Sequence, residues 1–360
     1  MNETTVPLCC CEYYDRNNER NHILACLCNC EDLDEAFDSF VKGEAVPESR
    51  RRAVMGTFQD RLRIPWRGGA KQVSVDAILP IFILPVILLL AANSLWWTIF
   101  SFTTMTVFLV FLFNFLIRNL PQTKFFLVWT ITSSILLYVI FEYIVIPFLE
   151  ILLEENIVLS LFIFGYIVSA YLCKVKANQL NSSVENEEGK GFAKYGGKID
   201  NCSICQKSVP DKDHHCIWLD CCIGRHNQCE FIISLTCATA SLLYSSNLTL
   251  TSVCHPFTLY KTILLPDDCS DVYQQFELGL SFVAALYSLF IAVILLILLL
   301  QQILFVSIGV SRKEWNTFSN FSKCLCGLTA YRPNSVGFIG NWARIICVKR
   351  RHNISSSQQL

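Results

Sequence analysis

The stretch NCSICQKSVPDKDHHCIWLDCCIGRHNQCEF, residues 201–231, sets five cysteines able to ligate or react (Cys202, Cys205, Cys216, Cys221 and Cys222) and three histidines in a short polar segment with long apolar runs on either side. Its centre, Asp213-His214-His215-Cys216, supplies a soft nucleophile, a base and a carboxylate. A free thiol is mostly protonated at neutral pH and needs a neighbouring imidazole to become a thiolate. Cys216 is therefore expected to be the nucleophile and His214 its general base, with Asp213 holding the His214 tautomer as the acid does in a Ser-His-Asp triad. His215 is then free to bind metal. With Cys202-x2-Cys205 upstream and Cys222 downstream it completes a Cys3His set, the composition of a closed tetrahedral zinc site. A lone cysteine or histidine is more often a buried thiol or a satisfied core imidazole. The CxxC with His and Cys at finger-like spacing is the more specific pattern.

Around this loop the chain is membrane-like. It is 53% hydrophobic and 16% charged with a net charge of −1, which excludes an ordinary soluble domain and gives no reason to expect a nucleic-acid partner. A spanning helix takes ~20 apolar residues. Six segments qualify: Ala77–Trp97, Thr98–Ile117, Phe125–Ile146, Ile157–Cys173, Phe231–Val253 and Leu278–Val310. The expected fold is an all-α polytopic membrane protein of about six transmembrane helices, with a small cysteine-rich loop between helices four and five. Its divisions are an N-terminal region (1–76), helices one to four (77–173), a linker and the cysteine-rich loop (174–230), helices five and six (231–310) and a C-terminal tail (311–360). Basic residues gather in alternate loops: Arg61, Arg63, Arg67 and Lys71 before the first span, Arg118 and Lys124 after the second, Lys174 and Lys176 after the fourth, Arg312 and Lys313 after the sixth. By the positive-inside rule both termini and the cysteine-rich loop are cytosolic. Asn114 and Ser133-Ser134, polar inside spans, are expected to bond between helices. The polar, Gly-containing approach Asn178–Asp200 reads as a flexible linker.

The N-terminal region carries Cys9, Cys10, Cys11, Cys26, Cys28 and Cys30, and its start lacks the basic-then-apolar pattern of a signal peptide, so these thiols are expected in the reducing cytosol. They read as a second metal site, as thiols that become acylated, or as plain reduced cysteines in a loosely ordered tail. The run from Asp60 to Lys71 mixes base and aromatic before the first span and reads as an anchor on anionic lipid.

The run DHHCIWLDCCIG resembles the signature of the DHHC protein S-acyltransferases (palmitoyltransferases), with Trp218, Cys222, Gly224 and Asn227 in register and Ile217 in place of the usual proline. The resemblance extends weakly into the tail. Ser311-Arg312-Lys313-Glu314 falls where the family has a TTxE-like motif, and Tyr331–Trp342 resembles its aromatic-to-asparagine motif, with Asn341 as the asparagine. Both motifs would pack the tail; the plainer alternatives are a helix cap and a surface turn. The family's His-Cys-x2-Cys-x2-Cys block, which gives its members two zinc sites, is missing, because only Gln206–Lys212 separate Cys205 from Asp213. The ligands left over sum to one set, so one structural zinc is expected on Cys202, Cys205, His215 and Cys222. The resemblance implies a multi-pass enzyme of the Golgi, endoplasmic reticulum or plasma membrane. It would move palmitoyl from palmitoyl-CoA through acyl-Cys216 to membrane-proximal cysteines of cytosol-facing substrate proteins. The alternative is a catalytically inactive membrane scaffold whose shortened loop cannot position Cys216. A transporter would be marked by an intramembrane charge pair or an inverted repeat, and the sequence offers neither.

Overall fold

The computed structural model describes residues 7–15, 18–23, 31–119, 123–149, 151–186, 199–259, 263–320, 323 and 335–346. In chain order the N-terminal part holds the hairpin β1 (Glu12–Tyr14) and β2 (Arg20–His22), helices α1 (Glu31–Val41) and α2 (Glu48–Arg61), and the two-residue pair β3 (Arg63–Ile64) and β4 (Lys71–Gln72). The apolar helices follow: α3 (Val75–Ala91), α4 (Leu95–Asn119), α5 (Phe125–Ile140) and α6 (Leu153–Asn186). The cysteine-rich loop is two hairpins, β5 (Ile199–Asn201) with β6 (Ser208–Pro210) and β7 (Lys212–Cys216) with β8 (Cys221–Gly224). Helix α7 (Gln228–Val253), the hairpin β9 (His255–Leu259) and β10 (Ile263–Asp268), helix α8 (Phe276–Ile308) and the short α9 (Arg312–Thr317) complete the order.

Among the described residues, five helical stretches are long and apolar enough to cross a bilayer: Leu95–Leu116, Phe125–Leu149, Leu153–Gln179, Gln228–Val253 and Phe276–Ile308. The expected first span, Ala77–Trp97, is not a single helix. The chain turns at Ala92–Ser94, Ser94 caps the next helix through a Trp97 N–H bond of 3.4 Å, and Trp96 and Trp97 belong to α4. At 17 residues α3 sits at the lower limit of spanning length. Helix α6 carries Glu154 and Glu155 in its first turn and runs past Cys173 to Asn186, so the first part of the expected linker is helix. Helix α5 passes through a π-helical turn at Phe141–Val145 just before Pro147, which has no N–H for its own ladder bond.

The chain divides into two compact units. In the first, residues 1–85 and 103–132, Asp76 at the head of α3 accepts hydrogen bonds from the Thr123 hydroxyl (2.7 Å) and the Lys124 amide (2.8 Å), fixing the starts of α3 and α5 together. Tyr13 on β1 is buried beneath the Arg63 guanidinium, 4.0 Å from the ring centre. In the second, residues 86–102 and 133–360, α7 packs against both α6 and α8. Polar side chains join helices there: Ser133 to Tyr287 at 2.8 Å, Ser134 to Tyr166, and Thr98 to Tyr273 at 2.7 Å. Asn114 departs from its expectation. Its amide bonds the Val110 carbonyl of its own helix at 2.9 Å.

Two features close the ends of α8. Gly309 caps it in the left-handed region (φ 69°), and a Cβ there would lie 2.7 Å from the Asn341 side chain. Asn341 is buried and bonds the Ser307 carbonyl (3.1 Å) and the Val336 amide (3.0 Å), so the tail motif docks on the helix terminus through it. The Tyr331–Asn334 part of that motif lies outside the described residues. At the other end, a Cys254–Cys269 disulfide staples the β9–β10 hairpin. It closes a loop of sequence separation 15, worth about 3 kcal/mol on loop entropy. Replacing both cysteines by alanine is expected to lower stability by about 2–4 kcal/mol, read as an earlier thermal transition in detergent micelles.

Candidate active site and metal centre

Strand β7 organises the site. Successive side chains of a strand point to opposite faces. His214 and Cys216 both turn toward Phe231 at the head of α7: the His214 ring meets the Phe231 ring edge-on at 5.5 Å. Cys216, 9% exposed, packs into a cluster with Cys173 and Ala177 of α6, Cys221, Ile223, Phe231, Leu235 and Leu299. His215, between them, faces the other way and meets Cys202 and Cys222. The register of β7 on β8 slips between Lys212 and His214, leaving Asp213 as the bulged residue. A bulge re-aims a side chain, and here the Asp213 carboxylate comes within 2.8 Å of its neighbour's Nδ1. Accepting Nδ1–H leaves the His214 Nε2 lone pair for the thiol. The second Asp213 oxygen accepts the Arg312 amide of α9 at 2.7 Å.

Sequence alone left Ser311–Glu314 as a family echo or an ordinary cap, and it proves to be a cap that reaches the site. Ser311 Oγ accepts the Glu314 amide and Glu314 accepts the Ser311 amide, a capping box that sets the first amides of α9 on Asp213. Burial pushes the Cys216 thiol up to about 12, so it stays protonated unless a base takes the proton.

On the opposite face, the ligand atoms of Cys202, Cys205, His215 and Cys222 all lie within 4.8 Å of one another, the one such group among the described residues. The Cys202 Sγ–His215 Nδ1, Cys222 Sγ–His215 Nδ1 and Cys205 Sγ–Cys222 Sγ separations are 3.7, 3.5 and 3.5 Å. Tetrahedral zinc with its usual Zn–S and Zn–N bonds requires edges of about 3.5–3.8 Å. The donor set fits that ion. A tight turn builds its first half: the Gln206 amide bonds the Cys202 carbonyl (2.8 Å) and the Cys202 amide bonds the Lys207 carbonyl (2.9 Å), with Gln206 at φ 56°. Hydrogen bonds from Cys222 and His215 hold the Cys202 thiol well below its ordinary range, and the hydrogen bond with Cys202, then burial, push Cys222 up. The His215 Nε2 faces Asp220 at 3.9 Å, and the Asp220 carboxylate also lies 3.9 Å from Lys174.

Asn227 joins loop to membrane helices. It is fully buried, donates to the Cys173 carbonyl of α6 (3.2 Å) and the Cys222 carbonyl (3.0 Å), and accepts the Gly224 amide (3.0 Å). Beside it Lys176 of α6 pairs with the buried Glu230 carboxylate. His226 lies in the same layer with both ring nitrogens buried and without a partner. Neither the Lys176–Glu230 pair nor the His226 position stood out from the sequence, because both depend on α6 continuing past Cys173. The Cys9–Cys11 run is described, whereas Cys26, Cys28 and Cys30 lie outside the described residues.

Two outcomes follow from these contacts. Asn227→Ala strands three buried polar partners and is expected to cost about 3 kcal/mol, measured as early thermal unfolding of the purified protein. Burial first, and the Lys176 charge second, lower the His226 pKa from 6.5 to about 4. A depressed histidine pKa favours the neutral folded form. That contribution is complete above pH 6.5 and is lost as pH falls toward 4, because the unfolded chain takes up the proton first. A His226→Leu variant should therefore show a flatter stability profile across this window than the unaltered protein in parallel acid titrations.

Residues 198–319 match the family described as DHHC palmitoyltransferase. Palmitoyltransferase ZDHHC23 of Rattus norvegicus is 28% identical over 398 residues, covering 93% of this chain and 92% of that protein. Palmitoyltransferase ZDHHC23-B of Danio rerio is 29% identical over 94% of this chain and 92% of its own length. Palmitoyltransferase erf2 of Schizosaccharomyces pombe is 41% identical over 51 residues, 14% of this chain and 15% of that protein. With its Asp-His-His-Cys strand and its Cys3His cluster, the chain carries a segment that matches the DHHC palmitoyltransferase family and is similar nearly end to end to named palmitoyltransferases.

Proposed function

We propose that this protein S-palmitoyltransferase works through a thioester on Cys216, read from one geometric fact: His214 and Cys216 share a face of β7 while Asp213 occupies His214 Nδ1. His214 Nε2 accepts the Cys216 proton as the sulfur attacks the thioester carbonyl of palmitoyl-CoA. The C–S bond to coenzyme A breaks, and its thiolate leaves with the proton from His214. A substrate cysteine then gives its proton to His214 and attacks acyl-Cys216, which departs as the restored thiol. Asp213 holds the imidazole in the productive tautomer throughout, and α9 holds Asp213. Zinc on Cys202, Cys205, His215 and Cys222 would be structural, since four protein ligands leave no open position.

The apolar wall around Cys216 suits a long acyl chain. Each methylene moved from water contributes ~0.8 kcal/mol, so a chain lying among the helices is held while the coenzyme A head stays in solvent. The acceptors this geometry favours are cysteines carried by cytosol-facing proteins at the membrane surface. Orientation rests on two independent signs. The basic loops lie on the side of the termini and the cysteine-rich loop. The Cys254–Cys269 disulfide follows a 26-residue helix that begins beside the reduced site thiols, and disulfides belong to oxidising compartments. The reading puts the loop in the cytosol and the β9–β10 hairpin in a lumen or outside the cell, in a membrane of the secretory route.

Alkyne-palmitoyl-CoA offered to the purified protein tests it. The peptide that carries Cys216 should acquire a hydroxylamine-labile label that is absent from Cys216→Ser and that His214→Ala lowers by at least about a hundredfold. An unlabelled Cys216 peptide in the unaltered protein would show that Cys216 carries no acyl intermediate.

A further inference from the structure

The N-terminal hairpin carries a second arrangement of thiol, imidazole and carboxylate. Cys11 Sγ lies 3.5 Å from His22 Nδ1, and His22 Nε2 lies 3.1 Å from Glu12 Oε1. The pairing of Glu12 with His22 across β1 and β2 brings them together. Glu12 is itself fixed, accepting the Cys9 amide at 2.9 Å and the Arg20 guanidinium. With Nε2–H donated to Glu12, Nδ1 is left as an acceptor facing the thiol. Cys9 and Cys10, both exposed, stand directly before Cys11. Hydrogen bonds from Cys11 and Cys10 hold the Cys9 thiol below its ordinary pKa, while burial and the neighbouring thiols raise that of Cys11. Cys9, the more exposed of the two, is thus the more acidic thiol.

This hairpin is fastened to the segment that leads into the first apolar helix. The Trp66 amide bonds the Cys10 carbonyl (3.3 Å) and the Ala70 amide bonds the Glu12 carbonyl (2.9 Å). A Cβ on Gly69 would meet the Glu12 carbonyl at 3.0 Å and Leu8 at 3.1 Å, so the two strands of chain are in van der Waals contact. Trp66 is 57% exposed with the Lys71 ammonium over its ring, the aromatic and basic pairing of a membrane–water interface, and α3 starts at Val75. The hairpin thiols are thus tied to the segment that carries this interfacial pairing.

We propose that Cys9–Cys11 is an S-acylation site of this protein, with His22, oriented by Glu12, as the proton acceptor that prepares the thiol cluster for a long-chain fatty acyl thioester. The cysteine sulfur forms a new C–S bond to the acyl carbon, the donor's C–S bond breaks, and the donor thiolate leaves with the proton that His22 held. The donor is acyl-CoA directly or an acyl-Cys216, two sources of the same thioester, and the inference does not depend on Cys216 being that source. The acyl chain would add a lipid anchor to the N-terminal hairpin.

The test is acyl mapping of the full-length protein from membranes. Free thiols are blocked, thioesters are cleaved with neutral hydroxylamine, and the released thiols are tagged and located in the peptide ending at Arg16. The proposal expects tags on Cys9–Cys11 and their loss in the Cys9→Ser/Cys10→Ser/Cys11→Ser variant, with acylation of Cys216 unchanged. It also expects a rate of acyl gain at Cys9–Cys11 lowered tenfold or more in His22→Ala, on the scale of a general base. Persistence of these tags in Cys216→Ser assigns the donor as acyl-CoA, and their loss assigns it as acyl-Cys216. An untagged N-terminal peptide in the unaltered protein, mapped directly and without any variant, overturns the proposal. Tags on that peptide with none on Cys216 would instead overturn the Cys216 mechanism and leave this site standing.

Discussion

The alternation of side chains along Lys212–Cys216 is the constraint on which the rest of the loop depends. Two adjacent histidines on a helix would stand only about 100° apart, whereas on a strand they point to opposite faces. His215 is committed to the cysteines of the metal face, and His214 with Cys216 is committed to the apolar face made by Phe231, Leu235 and Leu299. One strand therefore divides its side chains between the Cys3His cluster and the apolar pocket around Cys216. The bulge at Asp213 is the exception to the period, and it lets a carboxylate next in sequence to His214 reach its ring nitrogen.

Loss of a ligand block ought to endanger such a loop, since a half-filled set of thiols is a poor substitute for a core. Here the segment Gln206–Lys212 is short enough to bring the Cys202–Cys205 turn against β8, so that Cys202, Cys205, His215 and Cys222 converge as one donor set. Polar clamps around the cluster hold the loop to the membrane helices. Asn227 ties it to the Cys173 carbonyl of α6, and the α9 amide ties Asp213 to the end of α8. The Asn227 bonds are buried, whereas the Arg312 amide meets Asp213 at the exposed rim of the loop. A loop so closed can position Cys216, which removes the physical ground for reading the chain as an inactive scaffold.

Much of this was legible in the sequence because the residues that carry it are rare types at short spacing. CxxC, paired histidines and a following cysteine restrict the chemistry even when the fold is unknown. The helices were legible from composition, but their ends were not. Asn93-Ser94 is too short a polar break to stand out within a long apolar run, and Lys174 and Lys176 look like the end of a span although α6 carries them onward. Contacts between distant segments were beyond reach. The Cys254–Cys269 pairing depends on a hairpin register, Asn114 on the direction of its own carbonyl neighbours, and the Cys11–His22–Glu12 arrangement on the β1–β2 register. Ser311 shows a subtler limit. A cap and a family echo were weighed as rivals, and the structure makes the cap the means by which that segment meets the site.

Zinc-edge X-ray absorption together with elemental analysis of the purified full chain asks most directly whether the shortened loop is rebuilt around one ion. One zinc per chain, in a first shell of three sulfurs and one nitrogen, is the result expected from Cys202, Cys205, Cys222 and His215. A chain that is folded and acylated at Cys216 yet holds no zinc would contradict it, because the loop would then owe its shape to the polar clamps alone.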